Sequence, residues 1–219
     1  MYMYLSLALT ISAGLGFFYG LFRFFRNKSE LYVKMIVLGI GCAMLGRLFA
    51  TLLYLVKGQL FAGFNVGMLG IIGSFLFFFS ANFGQMDSTV DDGSSSSVKA
   101  RIIALAAPLS VAVLWYVIFA VYGFNGVTIS LGIEALFLAL ASYFHLKHLI
   151  LKDNGSGLIR ATHLYNLLSL FYAVLCLSEV LVECIERPDY APVIVCVLEC
   201  VVLIALIPVL ERGMKKWTT

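Results

Sequence analysis

The sequence has few charged residues for its length. Asp, Glu, Lys and Arg make up 12% of its 219 residues, whereas soluble domains contain about 25%. Hydrophobic residues make up 62%, and a soluble fold of this size has too little interior to bury them all. The shortage of charge therefore excludes an ordinary soluble domain and predicts that lipid is the main solvent.

The sequence also lacks the common motifs of cofactor and metal chemistry. Its five cysteines include no CxxC pair, and most lie in apolar runs where cysteine behaves as a small hydrophobic residue. HExxH, GxSxG and a glycine-rich phosphate loop are absent, as is a run of alternating basic and aromatic residues for nucleic acid. We therefore predict no cofactor, no resident metal and no nucleic-acid partner, and enzymatic activity is not favoured.

Seven apolar segments are long enough to cross a bilayer, which takes about 20 residues of α-helix. They are residues 3–25, 33–56, 64–84, 102–122, 127–149, 158–184 and 190–211. Barrel strands need only about 9–11 residues, so these segments predict helices. The fold class is therefore all-α: a polytopic membrane protein with one domain, a bundle of seven transmembrane helices. The serine-rich stretch 88–97 is predicted to be a mobile cytoplasmic linker.

The basic residues are divided unevenly between the connectors. The connectors after spans one, three and five, with the C-terminal tail, hold twelve lysines and arginines, whereas the other connectors hold only Lys57 and Arg187. Cytoplasmic loops carry the excess of basic residues in membrane proteins. The sequence therefore predicts an N-terminus outside, a cytoplasmic C-terminus, and a multi-pass protein of the cytoplasmic (plasma) membrane.

Several ionisable residues lie well inside the predicted spans, and each costs roughly 2.5–3.5 kcal/mol if it faces lipid at a helix centre. They should therefore face the interior of the bundle, together with the polar residues that share their helix faces. The predicted solute- or ion-binding residues are Arg47, Thr51, Tyr54, Glu134, Tyr172, Glu179 and Glu199. Whether Arg47 pairs with Glu134, Glu179 or Glu199 is left open by the sequence.

Three carboxylates and one guanidinium cannot all be charged and paired, so the site either retains one or two protons or holds a cation. The face of span six becomes more acidic towards the outside through Glu183 and Glu186, which favours a vestibule that opens outward. This pattern predicts a transporter of a small solute or cation, with proton coupling as one option. The simpler alternative is that Arg47 pairs with one glutamate and fixes the register of two helices.

All three histidines lie within one window at the end of span five and the start of span six. The connector between these spans is short, so the two spans should be neighbours. The window favours ordinary hydrogen bonding at the membrane interface or between helices. Two alternatives remain: His145, His148, His163 and Asn166 form a cytoplasmic gate or proton relay, or the histidines form a three-nitrogen metal site, for which the spacing is not a recognised one.

Two other functions also remain open. One is a sensor or regulatory subunit that binds a ligand outside and signals to a cytoplasmic protein partner. The other is an intramembrane enzyme that modifies lipid, although no nucleophile and base can be assembled at one depth. The expected partners are the lipid bilayer, a small solute or cation, and either a second copy of the chain or a cytoplasmic protein.

Overall fold

The computed structural model describes residues 2–26, 29–58, 64–91, 93–153, 155, 157–184 and 190–217. In these ranges the chain is helical and contains no strand. Seven helices are long and apolar enough to cross a membrane, as in a multi-pass integral membrane protein. The predicted all-α class and the number of spans are therefore confirmed. The side of the membrane on which each terminus lies stays a prediction.

The seven helices, α1–α7, alternate in direction. The bounds are α1 (Tyr2–Gly20, continued by the π-helical turn Leu21–Phe25), α2 (Leu31–Lys57), α3 (Val66–Ala81, continued by the π-helical turn Asn82–Met86 and by Asp87–Val90), α4 (Ser95–Ala104 and Ala106–Tyr122), α5 (Gly126–Ile150), α6 (Leu158–Cys184) and α7 (Tyr190–Trp217). We call the end at which α1, α3, α5 and α7 begin the N-terminal end of the bundle, and the opposite end the C-terminal end.

Six of the helices close a ring, and the seventh lies outside it. The neighbours around the ring are α1 with α2, α2 with α3, α3 with α5, α5 with α6, α6 with α7, and α7 with α1. Helix α4 packs against α5, and only 17% of its apolar window is buried inside the protein. The ring therefore holds the core, and α4 is peripheral.

Glycines bring α2 and α3 into backbone contact. A Cβ atom at Gly46 would lie 2.5 Å from the carbonyl oxygen of Gly67, and one at Gly70 would lie 2.5 Å from the Cα of Gly46. Helices in lipid pack through such small residues, because their association depends on close contact rather than on escape from water. The contact sets the rotation of α2 about its axis, and so the direction in which Arg47 points.

The serine-rich stretch is mostly helical. Residues 88–90 complete α3, and residues 95–97 begin α4, where the Ser94 hydroxyl caps the helix by accepting from the Ser97 amide at 3.3 Å. Val90 and Ser97 are buried. Helix α3 therefore ends later than the predicted residue 84, and α4 begins before the predicted residue 102, because serine favours N-cap positions as well as loops. Whether this segment moves remains a prediction.

Candidate functional site

Arg47 bridges two carboxylates in the core of the bundle. Its Nη1 and Nη2 donate to the two carboxylate oxygens of Glu179 at 2.9 and 2.6 Å, and Nη2 also donates to Oε1 of Glu199 at 2.7 Å. The fork of the guanidinium matches a carboxylate in this bidentate arrangement. We call these three residues the Arg47 cluster. It joins α2 to α6 and α7.

The Arg47 cluster is more exposed at one side than at the other. The side chain of Glu179 is 32% exposed and that of Arg47 is 13% exposed, whereas that of Glu199 is fully buried. Oε2 of Glu199 and Nε of Arg47 are buried and have no hydrogen-bond partner among the described residues. Glu179 is therefore the accessible end of the cluster, and Glu199 is its buried end.

The cluster contains one positive group and two carboxylates. If all three groups were ionised, the buried site would carry a net negative charge, which is unfavourable away from water. A proton on one carboxylate or a bound cation would restore neutrality. The unpartnered oxygen of Glu199 is where either one would be bound, because an ionised or protonated carboxyl oxygen needs a hydrogen-bond partner when buried.

The other predicted binding residues surround the cluster without all joining it. Thr51 donates to the backbone carbonyl of Arg47 at 2.9 Å and lies 2.8 Å from the Ser6 hydroxyl, so it connects α2 to α1. Tyr172 is buried one helical turn beyond Cys176. Tyr54 is half-buried, and no hydrogen bond joins it to the cluster in the described part of the chain.

Glu134 lies half-buried on α5, whereas the described carboxylates that contact Arg47 come from α6 and α7. The question left open by the sequence is therefore answered by Glu179 and Glu199 together. The side chain of Glu183 and the whole of Glu186, on which the predicted acidic face also relied, lie outside the described residues.

A second polar group lies near the C-terminal end, where α3, α5 and α6 meet. His145 Nδ1 lies 2.8 Å from Oδ1 of Asn166 and 3.0 Å from Nδ2 of Asn82. His148 lies 3.1 Å from Oδ1 of Asn82 through Nδ1. All four residues are buried. The structure therefore brings together three of the four predicted gate residues and adds Asn82.

The two contacts of His145 Nδ1 favour different tautomers. Oδ1 of Asn166, at 2.8 Å, can only accept and requires a proton on Nδ1, whereas Nδ2 of Asn82, at 3.0 Å, can only donate and requires Nδ1 without a proton. In the neutral tautomer that donates to Asn166, Nε2 is an acceptor. Nε2 is buried and has no partner within the described ranges.

The fourth predicted gate residue, His163, does not belong to this group. It is exposed on α6, whereas His145 and His148 are buried. The described residues also contain no group of three His, Cys, Asp or Glu side chains placed to hold a metal ion. The three-nitrogen metal alternative is therefore not supported by the arrangement of these histidines.

Sequence reasoning missed a buried ion-pair group next to His148. Lys147 Nζ lies 2.5 Å from Asp87 and 2.5 Å from Asp91, and Arg101 donates to Asp91 at 2.9 Å. We call these four residues the Lys147 network. The Lys147 side chain is only 3% exposed. The signal was a pair of aspartates one turn apart, of which Asp91 falls in the predicted mobile linker 88–97 and Asp87 directly precedes it.

The ionisation of Asp91 reflects these contacts. Burial opposes the charged form of Asp91, but hydrogen bonds from Lys147 and Arg101 outweigh it and hold the pKa of Asp91 well below its usual range. The carboxylate is therefore charged at neutral pH and ties the connector between α3 and α4 to α5.

Comparison with protein-family models, curated proteins and solved structures finds no match to this chain. Its function therefore has to be inferred from the chemistry of its own residues. The Arg47 cluster is the strongest basis for that inference, because it combines burial, surplus negative charge and an unpartnered oxygen.

Proposed function

We propose that the protein is an integral membrane transporter of a small solute or cation, and that binding is coupled to the protonation of the Arg47 cluster. The observation that carries the proposal is the surplus of carboxylate over guanidinium at a buried site. A pair that only fixed helix register would need one carboxylate, and a second buried carboxylate would destabilise it. The second one is explained if it binds a proton or a cation.

The gradient of exposure supports a site that is loaded from one side. Glu179 is partly exposed and Glu199 is buried beneath it. Both lie in the N-terminal half of the bundle, which the distribution of lysine and arginine predicts to be the outer half. An ion or proton would therefore enter from outside past Glu179 and reach Glu199 last.

The same contacts link occupancy to helix movement. Glu199 holds α7 to α2 through one charge-assisted hydrogen bond from Arg47. Such a bond weakens when the carboxylate becomes neutral, because the charged form is the stronger acceptor. Protonation of Glu199 would therefore loosen α7 while the bidentate pair with Glu179 still holds α6. Transporters require such a coupling between occupancy and the relative positions of helices.

The proposal is tested by thermal unfolding of detergent-purified protein between about pH 5 and about pH 8, with sodium, potassium, ammonium, glycine and glucose as probes. Wild type is compared with Glu199→Gln and Arg47→Ala. Glu211→Gln is the matched control, because Glu211 is also buried and paired with basic groups, Arg23 and Lys215, but lies at the other end of α7.

We expect a probe or pH change that stabilises wild type and the control, but has no effect on either cluster variant. Uptake of that probe into liposomes then separates a transporter from a sensor, because a sensor binds without flux. If all four proteins respond alike, the proposal is wrong and the cluster serves only to fix helix register.

A further inference from the structure

The buried face of α6 is polar along most of its length. Its buried polar members, in order from the C-terminal end of the bundle, are Thr162, Tyr165, Asn166, Ser169, Tyr172 and Cys176, and Glu179 follows. Interior helix faces in membranes are usually small or apolar, because each buried polar group needs a partner. This face runs between His145 and the Arg47 cluster.

Five atoms along this face make no hydrogen bond of normal geometry to a described protein group. They are the hydroxyls of Tyr165, Ser169 and Tyr172, Nε2 of His145 at one end, and Oε2 of Glu199 at the other. Each of these residues is at most 1% exposed. Buried polar atoms are almost always bonded to protein or to ordered water. The Ser169 hydroxyl faces that of Tyr165, and the Cys176 thiol faces that of Tyr172, but neither contact has normal hydrogen-bond geometry. Internal water would complete the hydrogen bonding of these atoms.

The five atoms belong to residues that follow one another in space. The rings of His145 and Tyr165 have centroids 5.5 Å apart. Tyr165, Ser169 and Tyr172 are spaced at i, i+4 and i+7, which places them on one face of the helix. Tyr172 lies two helical turns before Glu179 on α6, and Glu179 and Glu199 share Arg47. These side chains therefore form a continuous row along α6, from His145 at one end to the Arg47 cluster at the other.

Aromatic rings of α3 cover this face. Phe75 stacks on Tyr172 with centroids 5.5 Å apart, and Phe78 meets the edge of Tyr165 at 6.3 Å. Both phenylalanines are buried in the core. They pack against the two tyrosine rings inside the ring of helices, so this face suits water and protons better than a larger solute.

We propose that the three hydroxyls and bound water form a proton path between Glu199 and His145. This rests on the proposed function, because the proton enters by protonation of Glu199. In one transfer, Glu199 loses its carboxyl proton and His145 Nε2 gains one. Each hydroxyl or water between them accepts one proton and donates another, so only O–H and N–H bonds change. The products are a carboxylate and an imidazolium.

Each end of the path has charged neighbours. Glu199 faces Arg47 and Glu179, and the guanidinium stabilises the carboxylate that the transfer leaves. His145 lies beside His148, which bonds to Asp87 at 3.2 Å, and Asp87 is 19% exposed. The imidazolium is therefore formed on the side of the bundle where a carboxylate reaches solvent.

The decisive variant is Tyr165→Phe/Ser169→Ala, which removes two hydroxyls from the path. Neither residue belongs to the Arg47 cluster, and the two hydroxyls, which face each other, are removed together, so the variant leaves neither without its partner and should fold. The matched control is Tyr32→Phe, since Tyr32 is 3% exposed and lies on α2 away from the path. Proton flux is measured in liposomes that contain a pH-sensitive dye, with a potassium diffusion potential as the driving force.

We expect the double variant to slow proton flux by about tenfold or more, while Tyr32→Phe keeps the wild-type rate. Labelling by hydroxyl radicals from X-ray radiolysis is the second measurement, because it marks buried side chains next to internal water. Tyr165 and Tyr172 should be labelled more strongly than Tyr32.

Three results would overturn the path: labelling no stronger than at Tyr32, flux unchanged in the double variant, or wild-type flux equal to that of protein-free liposomes. These failures are distinct from failure of the proposed function. If Glu199→Gln still abolishes the stabilisation by pH or probe while the double variant keeps it, the cluster binds as proposed and only the path is wrong.

Discussion

In the Lys147 network two basic side chains meet two carboxylates, whereas in the Arg47 cluster one guanidinium meets two. Lys147 and Glu199 are almost equally buried, at 3% and 0% exposure of the side chain. The innermost side chains of the two groups are therefore similarly buried, and what distinguishes them is charge balance. A buried group with equal numbers of positive and negative charges is neutral without a ligand. A group with an extra carboxylate becomes neutral only when it binds a proton or a cation.

The two groups also differ in what they connect. The Lys147 network ties the connector after α3, and the start of α4, to α5. The Arg47 cluster ties α2 to α6 and α7 inside the ring. We infer that the first stabilises the fold, and that the second is the part of the molecule in which charge changes during function.

The largest expected effect is a difference in the free energy of unfolding between two variants, each of which neutralises one carboxylate in one of the two groups. Asp91→Asn leaves Lys147 and Arg101 facing a single carboxylate, and loss of one partner from a buried pair costs about 3 kcal/mol. Glu199→Gln leaves Arg47 with a single carboxylate and should change the free energy of unfolding by less than about 1 kcal/mol. Unfolding titrations in mixed detergent micelles measure both. Equal losses would mean that charge balance does not distinguish the groups.

A smaller effect is expected from acid. Because the pKa of Asp91 is lower in the folded protein than in the unfolded chain, Asp91 stabilises the fold fully above its unfolded pKa of about 3.9. That contribution is lost as the pH falls towards the folded pKa. The difference in unfolding free energy between wild type and Asp91→Asn should therefore be smaller at about pH 3 than at about pH 7. A constant difference would contradict this account.

The smallest expected effect is that of Thr51→Val. The substitution removes the Thr51 hydroxyl from its contacts with Ser6, Thr10 and the Arg47 carbonyl, which should cost about 1 kcal/mol. Stabilisation of the protein by pH or by an effective probe should remain, since Thr51 contacts neither carboxylate. Its loss in the folded variant would instead place Thr51 in the binding site.

The membrane class and the intramembrane charges could be predicted because both depend on single helices. Hydropathy over about 20 residues identifies a span, and the energetic cost of a charge in lipid predicts that Arg47, Glu179 and Glu199 face inward. On a helical wheel Thr51 shares a face with Arg47, which correctly predicts that it points into the bundle. The wheel alone does not distinguish contact with α1 from contact with the carboxylates.

The Lys147 network could not be predicted in the same way. Asp87 and Asp91 follow an apolar span and precede a serine run, which in isolation is typical of a loop. Their positions depend on α3 continuing to Val90 and on α5 presenting Lys147 to them. Likewise, the relay alternative for the histidine window included His163, but the rotation of α6 turns Asn166 inward and leaves His163 exposed.

By itself, the sequence determined that lipid surrounds this protein, how many membrane-spanning helices it has, and which side chains would cost too much free energy to expose to lipid. Those properties are sums over neighbouring residues, and no partner helix is needed to evaluate them. Only the tertiary structure decided that Arg47 meets Glu179 and Glu199, and that the polar face of α6 lies inside the ring with hydroxyls that no described side chain satisfies. These depend on how helices far apart in the sequence rotate and pack against one another, which small residues such as Gly46 and Gly70 set through backbone contact.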